Sequence, residues 1–441
     1  MVAIICSSVL LFLGSFFYLS FRKRKLFQRP AGNHGDLENF IDQQKGQLQN
    51  LSAMHGKGAS HIHRLVQLLT ENHAAPLTSN NRAQVLTNGE EKFRELKQAL
   101  LQAKHYIHIE YYTVKDDQIG REIRDLLIMK CSEGVKVRMI IDGLGSRKIP
   151  KRVLQDMLKA GIEIKHFLPI TLRNLLKLNF RNHRKIVVID GTLGFIGGMN
   201  IGDEYLSRNQ RIGFWRDTHL KIEGACVRDL QKTFVDDWHY LTGCQLQLTN
   251  DLPKSESEGC QFIQIANCGP SCEGELIRDL FHLAIMTAQR RVYIQTPYFA
   301  PCRRTLAALK QAAQNGLDVR LIVQGCTITP LTFWAAQSYF ADLLRAGVKI
   351  YMYQKGILHS KVLVVDDLFA SVGSANFDIR SFQLNFETNA VLYDRQLVAR
   401  LEQDFLQDIE DSVRVCPRLH RQRPLSHRCK EAAARMFAPL L

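Results

Sequence analysis

The first twenty positions, MVAIICSSVLLFLGSFFYLS, carry no charged side chain, and Arg22, Lys23, Arg24 and Lys25 follow in one block. About twenty apolar residues is the length a helix needs to cross the hydrocarbon layer of a bilayer. A cleavable secretory signal puts its positive charge before the apolar run and a small-residue cleavage site after it; here the charge follows, and no A-x-A pattern is present. Residues 1–27 are therefore expected to form an uncleaved single-pass anchor in the cell (inner) membrane. Basic flanks stay cytoplasmic, so the bulk of the chain is expected on that side. Residues 28–80, rich at first in Gly, Gln, Asn, Ser and His with little periodicity, suggest a polar neck or linker.

Beyond the neck the pattern becomes short β-branched runs separated by helical stretches, and it occurs twice. YIHIEYY (106–112) leads through a helical stretch to EGVKVRMIIDG (133–143); RVYIQTPYF (291–299) leads through RRTLAALKQAAQNG to LDVRLIVQG (317–325). Each half then gives a helical run, a turn and a strand, AGIEIKHF (160–167) and AGVKIYMY (346–353). The fold class is α/β, in two pseudo-symmetric halves packed against each other behind the membrane helix, each half built on a largely parallel sheet. The expected boundaries are 81–245 for the first half, 246–273 for a Pro-, Ser-, Gly- and Asn-rich junction, 274–413 for the second half and 414–441 for a basic tail. A site between two such halves draws one set of groups from each.

Composition narrows the class. With 441 residues, 46% hydrophobic and 23% charged, the chain is neither disordered, collagen-like nor a disulfide-stapled miniature, and a polytopic membrane protein would be more apolar. Lys and Arg number 58 against 43 Asp and Glu, a +15 balance that favours an anionic partner without choosing between nucleic acid and acidic lipid. Eleven cysteines without a C-x-x-C pair predict free thiols in a reducing compartment and no zinc site.

The chemistry-bearing pattern is also doubled. NHRKIVVID holds His183, Lys185 and Asp190; LHSKVLVVD holds His359, Lys361 and Asp366. The aliphatic tetrapeptide between Lys and Asp reads as a buried strand, and alternation places His and Lys on one of its faces. GGMN and GSAN follow, ending in Asn200 and Asn376, each ten residues after its Asp. One His-x-Lys-x4-Asp is a weak signal; two copies with the same downstream offset are a strong one.

With these motifs the chain resembles the phospholipase D superfamily and is similar to bacterial cardiolipin synthases from about Lys92 onward. NFRNHRKIVVIDGTLGFIGGMNIGDEY, FWRDTHLKIEG, QTPYFAP and SVGSANFDIRSFQLNFETNAVLYD match most closely. Such synthases commonly show two N-terminal spans where this chain shows one. The resemblance implies a phosphatidyltransferase repeat enzyme of lipid biosynthesis in which His183 is the nucleophile and His359 the general acid and base. It also implies that Asp217 and Glu387, aligned through WRDTH and NFETN, hold the histidine tautomers. Chemistry agrees, because phosphodiester exchange needs a nucleophile, a proton donor and cations around the non-bridging oxygens. Lys185 and Lys361 supply charge and Asn200 and Asn376 supply hydrogen bonds, so neither metal nor cofactor is expected. Asp190 and Asp366, at strand ends, are grouped with the catalytic residues at lower weight, a turn-fixing role being as good an account. Tyr111, Tyr112, Tyr298 and Phe299 read as core beneath the site; His108 and Glu110 have no assigned role.

The signature fixes the bond and not the substrate. The anchor points to lipid, as does a ten-residue excess between strand and motif in the first half: Gly161 to His183 spans 22 positions, Gly347 to His359 only 12. The excess falls in LPITLRNLLKLNFR, suited either to a headgroup layer or to covering the domain's own core. The basic tail, closing in ARMFAPLL, suits an anionic membrane surface or a packed tail helix equally. The expected reaction joins two phosphatidylglycerol molecules into cardiolipin and glycerol, with a phospholipase D-type hydrolase, another phosphatidyltransferase and a membrane-tethered nuclease as alternatives. No nucleic acid and no obligate protein partner are expected.

Overall fold

The computed structural model describes residues 37–55, 60–73, 75–246, 259–270, 275–326 and 329–440. The expected anchor and its basic flank lie outside them. Among the described residues no helix is long and apolar enough to cross a membrane.

Among the described residues fifteen strands form one sheet, and the order reads nearly the same from either end. In the first half it runs Glu163–Phe167, Lys136–Asp142, Tyr106–Tyr111, Lys185–Ile189, Leu193–Gly197, Thr218–Gly224, Thr78–Thr87. In the second it runs Lys349–Tyr353, Asp318–Gln324, Arg291–Thr296, Val362–Val365, Phe369–Gly373, Glu387–Leu392, Gln261–Cys268, with Ser412–Arg414 added at the outer edge. The two series meet where Thr78–Thr87 runs antiparallel to Gln261–Cys268.

Only the three outer strands of each series are parallel, so the sheet is mixed and not largely parallel. The cause is connection length. Parallel neighbours are joined through helices, as in Gln118–Ser132, whose Asp117 cap accepts from the Gly120 N–H and which buries Ile119, Ile123 and Leu127 along one stripe. The strand that follows each His-x-Lys turns back directly at Asp190 or Asp366, both at φ +51°, and must pair antiparallel.

One apolar cluster fills the outer face of the first half, a second that of the second half, and a third joins them: Ile186, Val188, Ile196 and Ile222 with Val362, Val364, Val372 and Leu392. The motif strands are apolar throughout because both their faces are covered.

Two sequence boundaries are corrected. The described part of the neck is mostly helical, Leu37–His55 and Ser60–His73, and its last residues already open the strand Thr78–Thr87; Leu51, Ile62, Leu65, Val66 and Leu69 are buried in the second half's core with Leu276, Leu280 and Phe281. The polar composition hid a one-sided apolar stripe. The expected junction holds Gln261–Cys268, whose buried residues pair with Glu387–Leu392, so the second half begins inside it. The nine described cysteines form no disulfide with one another.

Candidate active site

Where the halves meet, each histidine is seated on backbone from the other half. The His183 N–H donates to the Phe386 carbonyl at 2.9 Å, and the Phe386 N–H donates to the Arg181 carbonyl at 2.9 Å. In the mirror arrangement Gly356–Leu358 runs parallel to Phe214–Arg216, and the His359 N–H donates to the Arg216 carbonyl at 2.7 Å. This brings the carboxylate following each pairing segment behind the opposite imidazole. His183 Nδ1 lies 3.0 Å from both oxygens of Glu387, and His359 Nδ1 lies 2.7 Å from Asp217 Oδ2. The partnership is crossed: each half supplies the orienting acid for the other half's histidine. With Nδ1–H given to a carboxylate, Nε2 of each ring is left for chemistry.

Both rings open onto one cavity of about 570 Å³, which Asn200 and Asn376 also line. Tyr112 sets its ring edge against His183 at 5.2 Å, and Trp215 lies 5.1 Å from His359. Lys185 and Lys361 are buried; the Lys185 ammonium donates to the His183 carbonyl at 2.5 Å, and Lys361 donates to the His359 carbonyl. Asn200 Oδ1 accepts from the Thr113 N–H at 3.1 Å and its Nδ2 donates to the Tyr205 hydroxyl at 2.6 Å, which fixes the amide. Asn376 Oδ1 is buried with no hydrogen-bond partner among the described residues. Gly198 is required by the first carboxylate, since a Cβ there would stand 2.1 Å from Asp217 Oδ1.

Burial sets the electrostatics. It pulls both imidazoles down to about 4, against the raising pull of Glu387 on His183, and with Lys361 adding to the fall at His359. Lys185 falls to about 7 and Lys361 to about 8, burial again being the main cause. Burial pushes Asp217 and Glu387 up, but the facing imidazoles and lysines outweigh it and hold both carboxyls below their ordinary values. These shifts favour neutral imidazoles beside charged carboxylates.

Asp190 and Asp366 do not join this group. Asp190 accepts backbone N–H bonds from Lys104, His105 and Tyr106 at 2.7 to 2.8 Å, and Asp366 from Gln289, Arg290 and Arg291 at 2.8 to 3.0 Å. Five residues of extended chain from its lysine, each sits roughly 16 Å along the strand. They close the turn and start the neighbouring strand. The core assignment holds for Tyr111 and Phe299, which are buried in the two cores, but Tyr112 and Tyr298 line the cavity. Arg181, Trp215 and Arg380, also lining it, were not singled out in the sequence. Their partners, such as Asp142 for Arg181, lie tens of residues away.

The fold and the paired His-x-Lys site define a phospholipase D-like protein. Residues 96–238 and 282–409 match the family model described as cardiolipin synthase, PLD-like domain. The chain is 43% identical over 439 residues to a cardiolipin synthase of Geobacillus sp. strain WCH70, covering 97% of this chain and 86% of that one. It is 38% identical to the major cardiolipin synthase of Bacillus subtilis strain 168, covering 97% and 91%. Among solved structures, phosphatidylserine synthase of Haemophilus influenzae superposes with a TM-score of 0.65 at 16% identity, over 86% of this chain and all of that one, a likeness of fold. The chain belongs to the cardiolipin synthase family, and its activity is that of a phosphatidyltransferase.

Proposed function

We propose that this chain transfers a phosphatidyl group from one phosphatidylglycerol to the glycerol headgroup of another, giving cardiolipin and free glycerol, with residues 1–27 holding it in the inner membrane and the folded halves in the cytoplasm. The observation that supports this most is the crossed pair of carboxylate-backed histidines facing one cavity.

His183 Nε2 attacks phosphorus, the phosphorus–oxygen bond to the leaving glycerol breaks, and His359 gives its Nε2 proton to that oxygen. His359 must be protonated for this; the lipid phosphate, an anion placed between two lysines and two imidazoles, raises its pKa. In the second step the primary hydroxyl of the incoming phosphatidylglycerol gives its proton to His359, its oxygen bonds phosphorus, and the phosphorus–nitrogen bond to His183 breaks. Lys185, Lys361, Asn200 and Asn376 hold the non-bridging oxygens, and Glu387 and Asp217 keep the tautomers. Hydrolysis differs only in its acceptor, so selectivity rests on where the second headgroup lies and how much water is excluded.

Purified full-length protein in phosphatidylglycerol vesicles should yield cardiolipin plus glycerol by mass spectrometry, and His183→Ala should abolish both. Phosphatidic acid alone would make the protein a hydrolase.

A further inference from the structure

Seven of the fourteen large apolar side chains exposed among the described residues lie on two segments, the insert before His183 and the tail, whose ends at Arg181 and Leu440 line the cavity. The ten-residue excess of the first half folds as a short 3₁₀ turn, Leu172–Lys177, between two buried ends, Leu168 and Phe180; in its middle Leu172 is 93% exposed, Leu175 57% and Ile170 50%. On the tail, Leu425 is 73% exposed, Met436 79% and Phe437 44%. The tail is not packed through Met436 and Phe437. It docks through Ala434, Ala438 and the buried Glu431, which pairs with Arg423, while His427 lies against Trp334 at 5.0 Å. In the helix Leu425–Met436 the three- and four-residue spacing sets Leu425, Arg428, Ala432 and Met436 on one exposed face.

These two apolar segments, about 250 residues apart in sequence, are clasped by one side chain. Arg380, which lines the cavity, donates to the Asn179 carbonyl at the end of the insert at 3.3 Å and to the Leu440 carbonyl at the end of the tail at 2.9 Å. Leu440 itself lines the cavity, as does Phe333 on the helix that carries Trp334. The same tail carries Arg418, Arg421 and Arg428, exposed and without an ion-pair partner among the described residues; the tail's one acid is spent on Arg423.

We infer that the insert 169–178 and the tail helix Leu425–Met436 form one docking rim that seats the cavity mouth in the surface of an anionic phospholipid bilayer. The charge complementarity selects the occupant: exposed leucine, methionine and phenylalanine enter the acyl boundary while unpaired arginines meet lipid phosphates. The inference rests on the lipid-substrate reading and adds the orientation, since a lipid drawn up between the two segments reaches His183 and His359 with its acyl chains still in the membrane.

The test uses the full-length chain in vesicles of brominated phosphatidylglycerol, with Leu172→Trp and, separately, Met436→Trp. Each added tryptophan should be quenched well beyond the chain's native three. An added tryptophan that stays unquenched overturns the rim whether or not the protein is active. Separately, Leu172→Glu and Met436→Glu together should lower the ratio of turnover on vesicles to turnover on monomeric short-chain phosphatidylglycerol by about tenfold, from the lost burial of two large apolar side chains. An unchanged ratio also overturns the rim. If the parent protein turns over neither substrate, the synthase reading fails and the quenching result still decides the rim.

Discussion

The two halves place their histidines alike and support them differently. Glu110 and Gln295 occupy the same register, facing Ile186 and Val362 one residue beyond each motif lysine, and each lies by a buried helical acid, Asp237 or Asp408. In the second half Gln295 donates to Asp408 at 2.6 Å, and Arg216 completes that acid with bonds of 2.8 and 2.9 Å. In the first half Asp237 is met by Arg184, from inside the motif, and Asn182 reaches both Glu110 and Asp237. His183 is thus flanked by two buried polar residues locked to the scaffold. His359 is flanked by Leu358 and by buried Ser360, whose hydroxyl meets Thr218 of the first half at 2.7 Å, and has no arginine beside it. Both arginines belong to the first half. A duplicated fold has kept the geometry of its chemistry while moving the arginine that supports it, and the histidine with a buried arginine next to it in the motif is the one assigned to covalent attack.

The largest effects should come from the histidines. His183→Ala and His359→Ala should each lower phosphatidylglycerol turnover by about 10⁴-fold or more. A phosphodiester with a nitrophenolate leaving group separates them, because nitrophenolate departs without a proton. His359→Ala should then release a burst equal to the enzyme present, and His183→Ala none. The opposite pattern would exchange the roles of the halves. One step smaller, Glu387→Gln and Asp217→Asn should each cost about 10²- to 10⁴-fold by loosening the tautomer. Since the pairs are crossed, Glu387→Gln should suppress the burst while Asp217→Asn preserves it. If instead each acid behaved like the histidine of its own half, the crossing would be wrong.

The lysines sharpen the comparison through pH. A lysine charge is lost as pH rises through the folded pKa, so with Lys185 at about 7 and Lys361 at about 8 the kcat/KM of the free enzyme should begin to fall near pH 7, the first half losing its cation first. Bound lipid phosphate favours the protonated amines, so the alkaline limb of kcat should lie higher than that of kcat/KM. Both parameters measured against pH check this, and coincident limbs would mean that the lysines do not face the phosphate.

Much of this was legible along the chain. Two His-x-Lys copies at equal offsets located both imidazoles, both lysines and both asparagines, and the WRDTH and NFETN alignment found Asp217 and Glu387. The crossing was not legible, because strand periodicity says which face a residue takes and nothing about which chain segment lies beside it. Asp190 and Asp366 travel with the motif in sequence but are carried to the far end of a strand. Tyr112 was grouped with Tyr111 although alternation turns neighbours to opposite faces. The strand Gln261–Cys268 was lost in a stretch whose polar flanks outweighed five consecutive buried residues, and nothing near Arg184 in sequence points to its partner Asp237, 53 positions away.

The smallest expected effect probes the comparison most closely. Gln295 is a neutral donor to Asp408; Glu110 can play that part toward Asp237 only if it carries a proton. Burial, and then the Asp237 charge beside it, raises Glu110 well above its ordinary value, while its Oε2 is buried with no hydrogen-bond partner among the described residues. A carboxyl whose folded pKa is raised keeps its proton while the unfolded chain releases it, so its contribution to stability is undiminished below the ordinary carboxylate range and declines as pH rises from there toward the folded pKa. Glu110→Gln installs the second half's residue and removes that decline. Thermal unfolding should find the variant within about 1 kcal/mol of the parent at pH 5 and gaining on it by pH 8, with turnover retained. A variant that instead loses ground as pH rises would mean that Glu110 is ionised, and that the two halves differ in charge at this position as well as in the source of their arginine.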